Sequence, residues 1–196
     1  MQIVDLLPDD EHTIQQAAVL LVEGFKEHWP DAWPDMEAAL QEVHGAVEAG
    51  KICRAALDDD GTVLGWIGGF SGYGGRVWEL HPLVVAPDRQ GQGIGRALVG
   101  DLEQLVRDRG GLTLQLGTDD VDNMTTLGGE DLYPGVLEHL AALRNLHRHP
   151  YEFYQKLGFV VVGVVPDANG FGKPDILMAK RVDGQNNGLS EEISHE

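Results

Sequence analysis

Two ionisable residues that lie close together in the sequence could take part in proton transfer. Glu79 and His81 are separated by one apolar residue within a β-like run, and alternate residues of a strand point to the same face of its sheet. A carboxylate and an imidazole on one face could hold an ammonium group and accept its proton. The simpler interpretations are a solvated edge-strand charge for Glu79 and a structural hydrogen bond beside Pro82 for His81. Both residues are candidates for chemistry at an amine.

A glycine-rich turn follows these residues and leads into an amphipathic helix. Glycine allows a tight turn and lets a ligand approach the backbone, and the unpaired N–H groups at a helix start attract phosphate. A dinucleotide-binding βαβ unit is disfavoured because the run before the turn is a meander of β segments. The sequence therefore predicts a phosphate-binding loop, with an ordinary loop as the alternative. Its residues are Gln90, Gly91, Gln92, Gly93, Ile94, Gly95 and Arg96.

Other polar and aromatic residues are candidates for binding a cationic ligand. Asp119 and Asp120 follow a predicted strand, where their carboxylates could bind ammonium groups or could only form a turn. Trp29 and Trp33 lie in a proline-rich connection and could stack on sugar rings or cap the core. Weaker acidic candidates are Glu130, Asp131 and Glu138.

Composition limits the class of protein and of partner. A formal net charge of -18 disfavours binding to nucleic acid or to an anionic membrane and is compatible with a basic ligand. No apolar run approaches the length of a transmembrane helix and no secretory signal is visible, so we expect a cytoplasmic protein. His147 and His149 lack the i, i+4 spacing of two ligands on a helix, and we expect no metal site. The single cysteine, Cys53, is predicted to be a core residue.

The periodicity of apolar residues predicts an α/β protein. Thr13 and Gln16 resemble a capping box at the start of a first helix, and Pro34 and Gly50 are expected to begin and stop a second. Predicted strands cover 2–6, 52–58, 62–70, 76–86, 112–117, 159–165 and 175–181, and later helices follow at 94–109, about 134–146 and 150–157. Residues 183–196 are polar and acidic and are expected to form a mobile tail.

The order of these elements resembles that of the GCN5-related N-acetyltransferase (GNAT) superfamily. Two motifs carry the same resemblance: Gln90-x-x-Gly93-x-Gly95, and the run from Tyr154 to Gly158-Phe159. The resemblance implies one domain over residues 1–182. Its fold is a mixed, mostly antiparallel central sheet, splayed between the fourth and fifth strands and flanked by helices.

The same resemblance implies acetyl-CoA as co-substrate. The strand would bulge near Pro82, the Leu83 N–H would stabilise the oxyanion, and the loop 90–96 would hold the pyrophosphate. Tyr154 would contact the coenzyme sulfur and protonate the departing thiolate. Leu83, Val84 and Val85 would lie along the pantetheine arm. The residue at which many members carry an asparagine is His147 here, so that contact to the cofactor is missing.

More narrowly, three stretches are similar to the aminoglycoside 6'-N-acetyltransferases: Trp78 to Val85, Leu116 to Asp120, and His149 to Tyr154 together with Asn169-Gly170 and Pro174-Asp175. That family transfers acetyl to the 6'-amine of aminoglycosides, commonly as a homodimer, and gives antibiotic resistance. For this reaction we expect Glu79 to act as base, His81 to assist it or to orient the substrate, and transfer to be direct in a ternary complex. A different amine acceptor, such as a polyamine or a protein amino group, and a non-catalytic binder of coenzyme A or a cationic ligand remain alternatives.

Overall fold

A computed structural model describes residues 1–182 of the chain, so the predicted tail at 183–196 lies outside the described residues. Seven strands and five helices follow one another in the described part. The strands are β1 (Gln2–Asp5), β2 (Ile52–Leu57), β3 (Val63–Gly72), β4 (Val77–Val85), β5 (Thr113–Asp119), β6 (Val160–Val165) and β7 (Asp175–Arg181). The helices are α1 (Glu11–Phe25), α2 (Met36–Ala46), α3 (Ile94–Asp108), α4 (Val136–Ala141) and α5 (Tyr151–Gln155).

All seven strands form one sheet in the order β1-β2-β3-β4-β5-β7-β6. Every neighbouring pair is antiparallel except β4 and β5, which are parallel because α3 connects them. The pairing of β4 with β5 covers only Val77–Glu79 against Thr113–Gln115, although both strands continue further. The predicted splay between the fourth and fifth strands is therefore confirmed, and it opens at Glu79.

Two apolar layers cover the two faces of the sheet. Helices α1 and α2 pack on one face around Trp66, whose indole N–H donates to the Ala17 carbonyl of α1 at 3.0 Å. Helix α3 packs on the other face through its leucines, of which Leu98 and Leu102 are fully buried. Because α1 and α2 pack chiefly over β2 to β4, the same face remains open over β5 and β7.

The first two helices begin and end at residues other than those predicted. Asp10, not Thr13, caps α1, since its carboxylate accepts the Thr13 N–H at 3.1 Å. Gln16 instead accepts the Val63 N–H at 3.0 Å and so ties α1 to the β2–β3 turn. Asp35 caps α2, one residue after Pro34, and that helix ends at Ala46 rather than beside Gly50.

The segment between β5 and α5 contains less helix than predicted. The expected helix over 134–146 is reduced to α4, because the residues that follow it pair with an earlier stretch. Thr125 and Asn145 form an isolated antiparallel bridge, and the Leu146 N–H donates to the Met124 carbonyl at 2.8 Å. This pairing places the entrance of α5 beside the end of β5.

Two further observations concern predictions made from composition. None of the helices within residues 1–182 has the length and hydropathy needed to cross a bilayer. Cys53 is buried in the core, as predicted, and burial raises the pKa of its thiol to about 12.

Candidate active site

Glu79 and His81 lie on the open face of β4, as their alternation predicts. Glu79 stands opposite Gln115 of β5, and the Gln115 side-chain amide donates to the Glu79 carboxylate at 3.2 Å. The His81 Nε2 atom is 3.7 Å from a carboxylate oxygen of Glu42 on α2, and its ring centroid is 6.1 Å from that of Trp33. A carboxylate and an imidazole therefore share one solvent-accessible surface at the point where β4 and β5 separate.

The strand bulges at His81-Pro82, as the resemblance implied. Two residues of β4 lie opposite Gly68 of β3, between the pairs Ile67–Leu83 and Gly69–Leu80. A Cβ at position 68 would collide with the His81 carbonyl oxygen, so glycine is required for this close approach. Beyond the bulge, β4 no longer pairs with β5.

Leu83, Val84 and Val85 lie on this unpaired portion of β4. Val84 is buried against α1 and α2, whereas Leu83 and Val85 are only half-buried. A strand edge without a neighbouring strand leaves backbone groups able to pair with an extended ligand. The geometry suits the predicted contacts to a pantetheine arm and to a thioester oxygen.

The glycine-rich turn has the geometry of an anion site. Gly91 has φ +73° and Gly93 has φ +89°, conformations that favour glycine. Gly93 is the residue before α3, and no side chain within residues 1–182 caps that helix. The first N–H groups of a 15-residue helix therefore carry its positive dipole end towards solvent. Arg96, in the first turn, is exposed and adds a cation.

The remaining loop side chains support the turn. Gln90 donates to the Val85 carbonyl at 3.5 Å and Gln92 to the Asp88 carbonyl at 3.4 Å. Ile94 is buried and anchors the helix start in the core. Gly95 lies against α5, since a Cβ there would be 3.3 Å from the Phe153 ring.

Tyr154 is half-buried on α5 between two aromatic rings. Its ring centroid lies 5.0 Å from that of Phe153 and 5.7 Å from that of Phe159, both in edge contacts. Its hydroxyl makes no hydrogen bond with any residue of 1–182, and burial raises the pKa of Tyr154 above its ordinary value. The phenol therefore remains protonated at neutral pH and is free to donate.

His149 and Asn145 hold the entrance of α5. The His149 ring accepts the Tyr151 N–H at 3.2 Å through Nδ1, so the proton lies on Nε2, which donates to the Asp119 carbonyl at 3.0 Å. Burial lowers the pKa of His149 and favours this neutral form. The Asn145 amide bonds both backbone groups of His149. His147 is exposed.

Two cavities lie on the open face of the sheet, and His81 lines both. The first, about 410 Å³, lies between α2 and β3 and is lined by Trp33, Glu42, Phe70 and Lys51 among others. The second, about 320 Å³, lies over the splay and is lined by Glu79, Gln115, Gly117, Asp119, Asp175 and Leu177 among others. Neither cavity is lined by Trp29, Glu130, Asp131 or Glu138.

The second cavity is strongly acidic. Burial raises the pKa of Asp119, although the Asn169 side chain donates a hydrogen bond to its carboxylate. Burial and the neighbouring charges of Asp119 and Glu79 raise the pKa of Asp175 to about 6. These acids, which lie together on one surface, would interact favourably with a cation.

Asp120 does not belong to this surface, which corrects the prediction that it binds substrate. It is fully buried, and its carboxylate accepts the Met124 N–H at 2.6 Å, the Thr125 N–H at 2.9 Å and the Thr125 hydroxyl at 2.7 Å. Consecutive residues at a strand end point to opposite sides, so Asp119 and Asp120 cannot face one ligand together. Asp120 forms the turn, which was the alternative.

The two tryptophans differ in position. Trp33 lines the first cavity and its ring contacts Phe25 edge-on, with centroids 4.6 Å apart. Trp29 is half-buried beside the end of α1, where its backbone N–H donates to the Phe25 carbonyl at 2.8 Å. Within residues 1–182, no three metal-ligating side chains come together.

Sequence reasoning missed three residues of the surface: Glu42, Gln115 and Asp175. The sequence places Asp175 at the start of the last strand and within a stretch that carries the family resemblance, but its position beside Asp119 depends on the register of β5 against β7. Gln115 could have been found by stepping back along β5 from Asp119 in twos. Nothing in the sequence places Glu42 beside His81.

Comparison with known proteins identifies the family. Residues 14–127 match the model of the Acetyltransferase (GNAT) family. The crystal structure of an aminoglycoside 6'-N-acetyltransferase complexed with coenzyme A is 41% identical, with TM-score 0.85, over 95% of this chain and 100% of that one. The aminoglycoside 6'-N-acetyltransferase from Enterococcus faecium is also 41% identical, with TM-score 0.83 and the same coverage.

A third solved structure, aminoglycoside 6'-acetyltransferase type Ii, is 38% identical, with TM-score 0.70, over 93% of this chain and 97% of that one. No curated protein matches the chain. The family match, the splayed sheet and the glycine-rich helix start agree with one another. The chain therefore belongs to the GNAT acetyltransferase family and uses acetyl-CoA as its co-substrate.

Proposed function

We propose that the chain acts in the cytoplasm, where it transfers the acetyl group of acetyl-CoA to the 6'-amine of aminoglycoside antibiotics and thereby gives resistance. One observation supports this acceptor above all: an acidic cavity lies over the splay and contains Glu79, Asp119 and Asp175. Aminoglycosides carry several ammonium groups on a compact frame, and such a cavity is complementary to them. Similar structures named for this activity support the same acceptor.

The proposed mechanism is direct transfer in a ternary complex. The amine arrives as an ammonium ion, and Glu79 accepts its proton directly or through a water molecule. Its hydrogen bond from Gln115 fixes the carboxylate on the open face. His81, between the two cavities, orients the acceptor or assists the proton transfer.

The amine then attacks the thioester carbonyl beside the β4 bulge. The Leu83 N–H stabilises the oxyanion, and the strand from Leu83 to Val85 aligns the pantetheine arm. The backbone of 90–96, with Arg96, holds the pyrophosphate. The attacking nitrogen loses its second proton to solvent as the C–S bond breaks, and Tyr154 protonates the departing coenzyme A thiolate and recovers its proton from solvent. Trp33 offers an aromatic wall to the rings of the acceptor in the first cavity. Trp29 remains a proposed contact outside both cavities.

A thiol-release assay tests the acceptor. Free coenzyme A is measured from acetyl-CoA with kanamycin or tobramycin, and with an analogue that carries a hydroxyl in place of the 6'-amine. We expect turnover with the antibiotics and none with the analogue. Equal turnover with the analogue would contradict the 6' position. Faster turnover with spermidine or a peptide amino group would favour the alternative acceptors.

The resistance role has a separate test. Expression of the wild-type chain in a susceptible bacterium should raise the inhibitory concentration of kanamycin, and expression of Glu79→Gln at the same level should not. An equal increase with both variants would show that resistance does not come from this chemistry.

We also propose that the chain forms a homodimer. Strand β6 lies at the end of the sheet and exposes Val160, Val162 and Val165 by 61%, 59% and 44%. An apolar edge strand is a ready surface for pairing with a second copy. Sedimentation should give twice the chain mass for the wild type and the mass of a single chain for Val160→Lys, because Val160 lies outside both cavities. A monomeric wild type would contradict this proposal.

A further inference from the structure

Asp119 and Asp175 lie side by side on the floor of the acidic cavity. They are directly opposite across the antiparallel β5–β7 pair, so both side chains point to the same face. Two carboxylates at this spacing repel each other when both are ionised. Of the two, only Asp119 accepts a hydrogen bond from a side chain of the described residues, that of Asn169.

The Asp175 carboxylate is incompletely satisfied. Its Oδ1 atom is buried and has no hydrogen-bond partner among the described residues. It lies against Gly117, where a Cβ would be only 2.7 Å from this oxygen, so the absence of a side chain at Gly117 creates the space that the carboxylate occupies. A buried acceptor without a partner is costly unless a ligand or a proton satisfies it.

The charged groups around Asp175 do not supply that partner. Glu79 on β4 and Asp119 on β5 both disfavour its ionisation, and only a backbone interaction with Thr118 favours it. On β6 the residue opposite is Val165. No lysine or arginine is among the described residues that line this cavity, and His81 is its only cationic candidate.

We propose that Asp119 and Asp175 together bind a second ammonium group of the acceptor, and that at mildly acidic pH Asp175 holds a proton in the free protein and releases it to solvent when that group binds. This inference rests on the proposed function, because it assumes a polycationic acceptor in the cavity. The O–H bond of the Asp175 carboxyl breaks, the proton passes to the buffer, and the resulting carboxylate accepts hydrogen bonds from the ammonium group. The acceptor remains charged at this position, so the site orients it without reacting.

Calorimetry at pH 6 tests the proton release. Tobramycin is titrated into the full chain saturated with coenzyme A, which carries no acetyl group, so that no turnover occurs. The titration is repeated in two buffers of different ionisation enthalpy. Because the pKa of Asp175 lies near this pH, binding should release roughly half a proton per chain. Asp175→Asn should abolish most of this release and weaken binding about tenfold. Asp9→Asn removes an equal charge from an exposed residue outside both cavities and should change neither quantity.

A second variant tests whether weaker binding could come from misfolding. Gly117→Ala retains the acid but places a methyl group against the Asp175 carboxylate, and it should weaken tobramycin binding in a protein that unfolds cooperatively. The acceptor affinity of the wild type should fall as pH decreases through about 6, and this inflection should be lost in Asp175→Asn. An inflection that persists in Asp175→Asn belongs to another group and would overturn the proposal.

The outcomes separate this proposal from the proposed function. If wild type and Asp175→Asn release the same number of protons and the 6'-amine is still acetylated, the proposal for Asp119 and Asp175 is overturned and the proposed function stands. Proton-coupled binding without any acetylation of tobramycin overturns the proposed function and supports the binding site.

Discussion

Tyr154→Phe removes a single hydroxyl that makes no hydrogen bond within residues 1–182. The ring packs edge-on against Phe153 and Phe159, and phenylalanine can make the same contacts. Because the hydroxyl has no partner within residues 1–182, the free energy of unfolding should change by less than about 0.5 kcal/mol. The loss of a general acid should lower kcat by about 100-fold or more, which corresponds to roughly 2.7 kcal/mol in the barrier.

Single-turnover acetyl transfer, followed by thiol release, measures this effect on the chemical step. Tyr133→Phe makes the same chemical change at a residue that is 60% exposed and outside both cavities, and it should retain full activity. Burial raises the pKa of Tyr154, so the wild-type rate should not decline through the ordinary tyrosine range near pH 10. A Tyr154→Phe rate within threefold of wild type would refute the assignment of Tyr154 as the acid.

Four further predictions follow from other parts of the structure. Glu79→Gln should lower kcat/KM at least about 100-fold, with a smaller loss at high pH where more of the amine is already neutral; a loss that does not depend on pH would contradict a base role. Asp120→Ala leaves three donors without their acceptor and should destabilise the fold by about 3 kcal/mol, seen as a fall of about 6–12 °C in Tm; a fall under 2 °C would contradict the structural role. Gly93→Ala should raise the KM for acetyl-CoA. Gly50→Ala is a matched control, because Gly50 has φ +90° and Gly93 has φ +89° but Gly50 lies outside the loop, and it should leave this KM unchanged. Equal effects of the two substitutions would exclude a specific role of the loop. The pKa of Asp175 is raised above its unfolded value, so between about pH 4 and 6 the native state binds more protons than the unfolded state and loses stability as pH rises. The Tm of Asp175→Asn relative to wild type should therefore increase from about pH 4.5 to about 7.5. A Tm difference that does not change with pH would contradict this.

Local signals in the sequence are sufficient to predict the backbone of the glycine-rich turn and the face on which the first two ionisable residues lie. The glycine-rich turn lies within one strand–turn–helix unit, and Gly91 and Gly93 permit its left-handed backbone directly. Glu79 and His81 were placed on one face by strand alternation alone. These predictions needed no knowledge of how distant segments pack.

The acceptor side could not be predicted in the same way. Asp175 is 56 residues from Asp119 in sequence, and only the β5–β7 register makes them neighbours. The charge of Asp120 suggests ligand binding, but the sequence does not show the direction of its side chain, whose carboxylate accepts the Thr125 hydroxyl inside the turn. The capping box at Thr13 was wrong because Asp10, three residues earlier, offers a better cap.

The chemical identity of the product tests the account most directly. Tobramycin is incubated with acetyl-CoA and the purified chain, and two-dimensional NMR identifies the nitrogen that carries the acetyl group. We expect a single product acetylated at the 6'-amine. Acetylation of any other nitrogen, or no acetylation while coenzyme A still binds, would contradict the proposed acceptor and leave only the family membership in place.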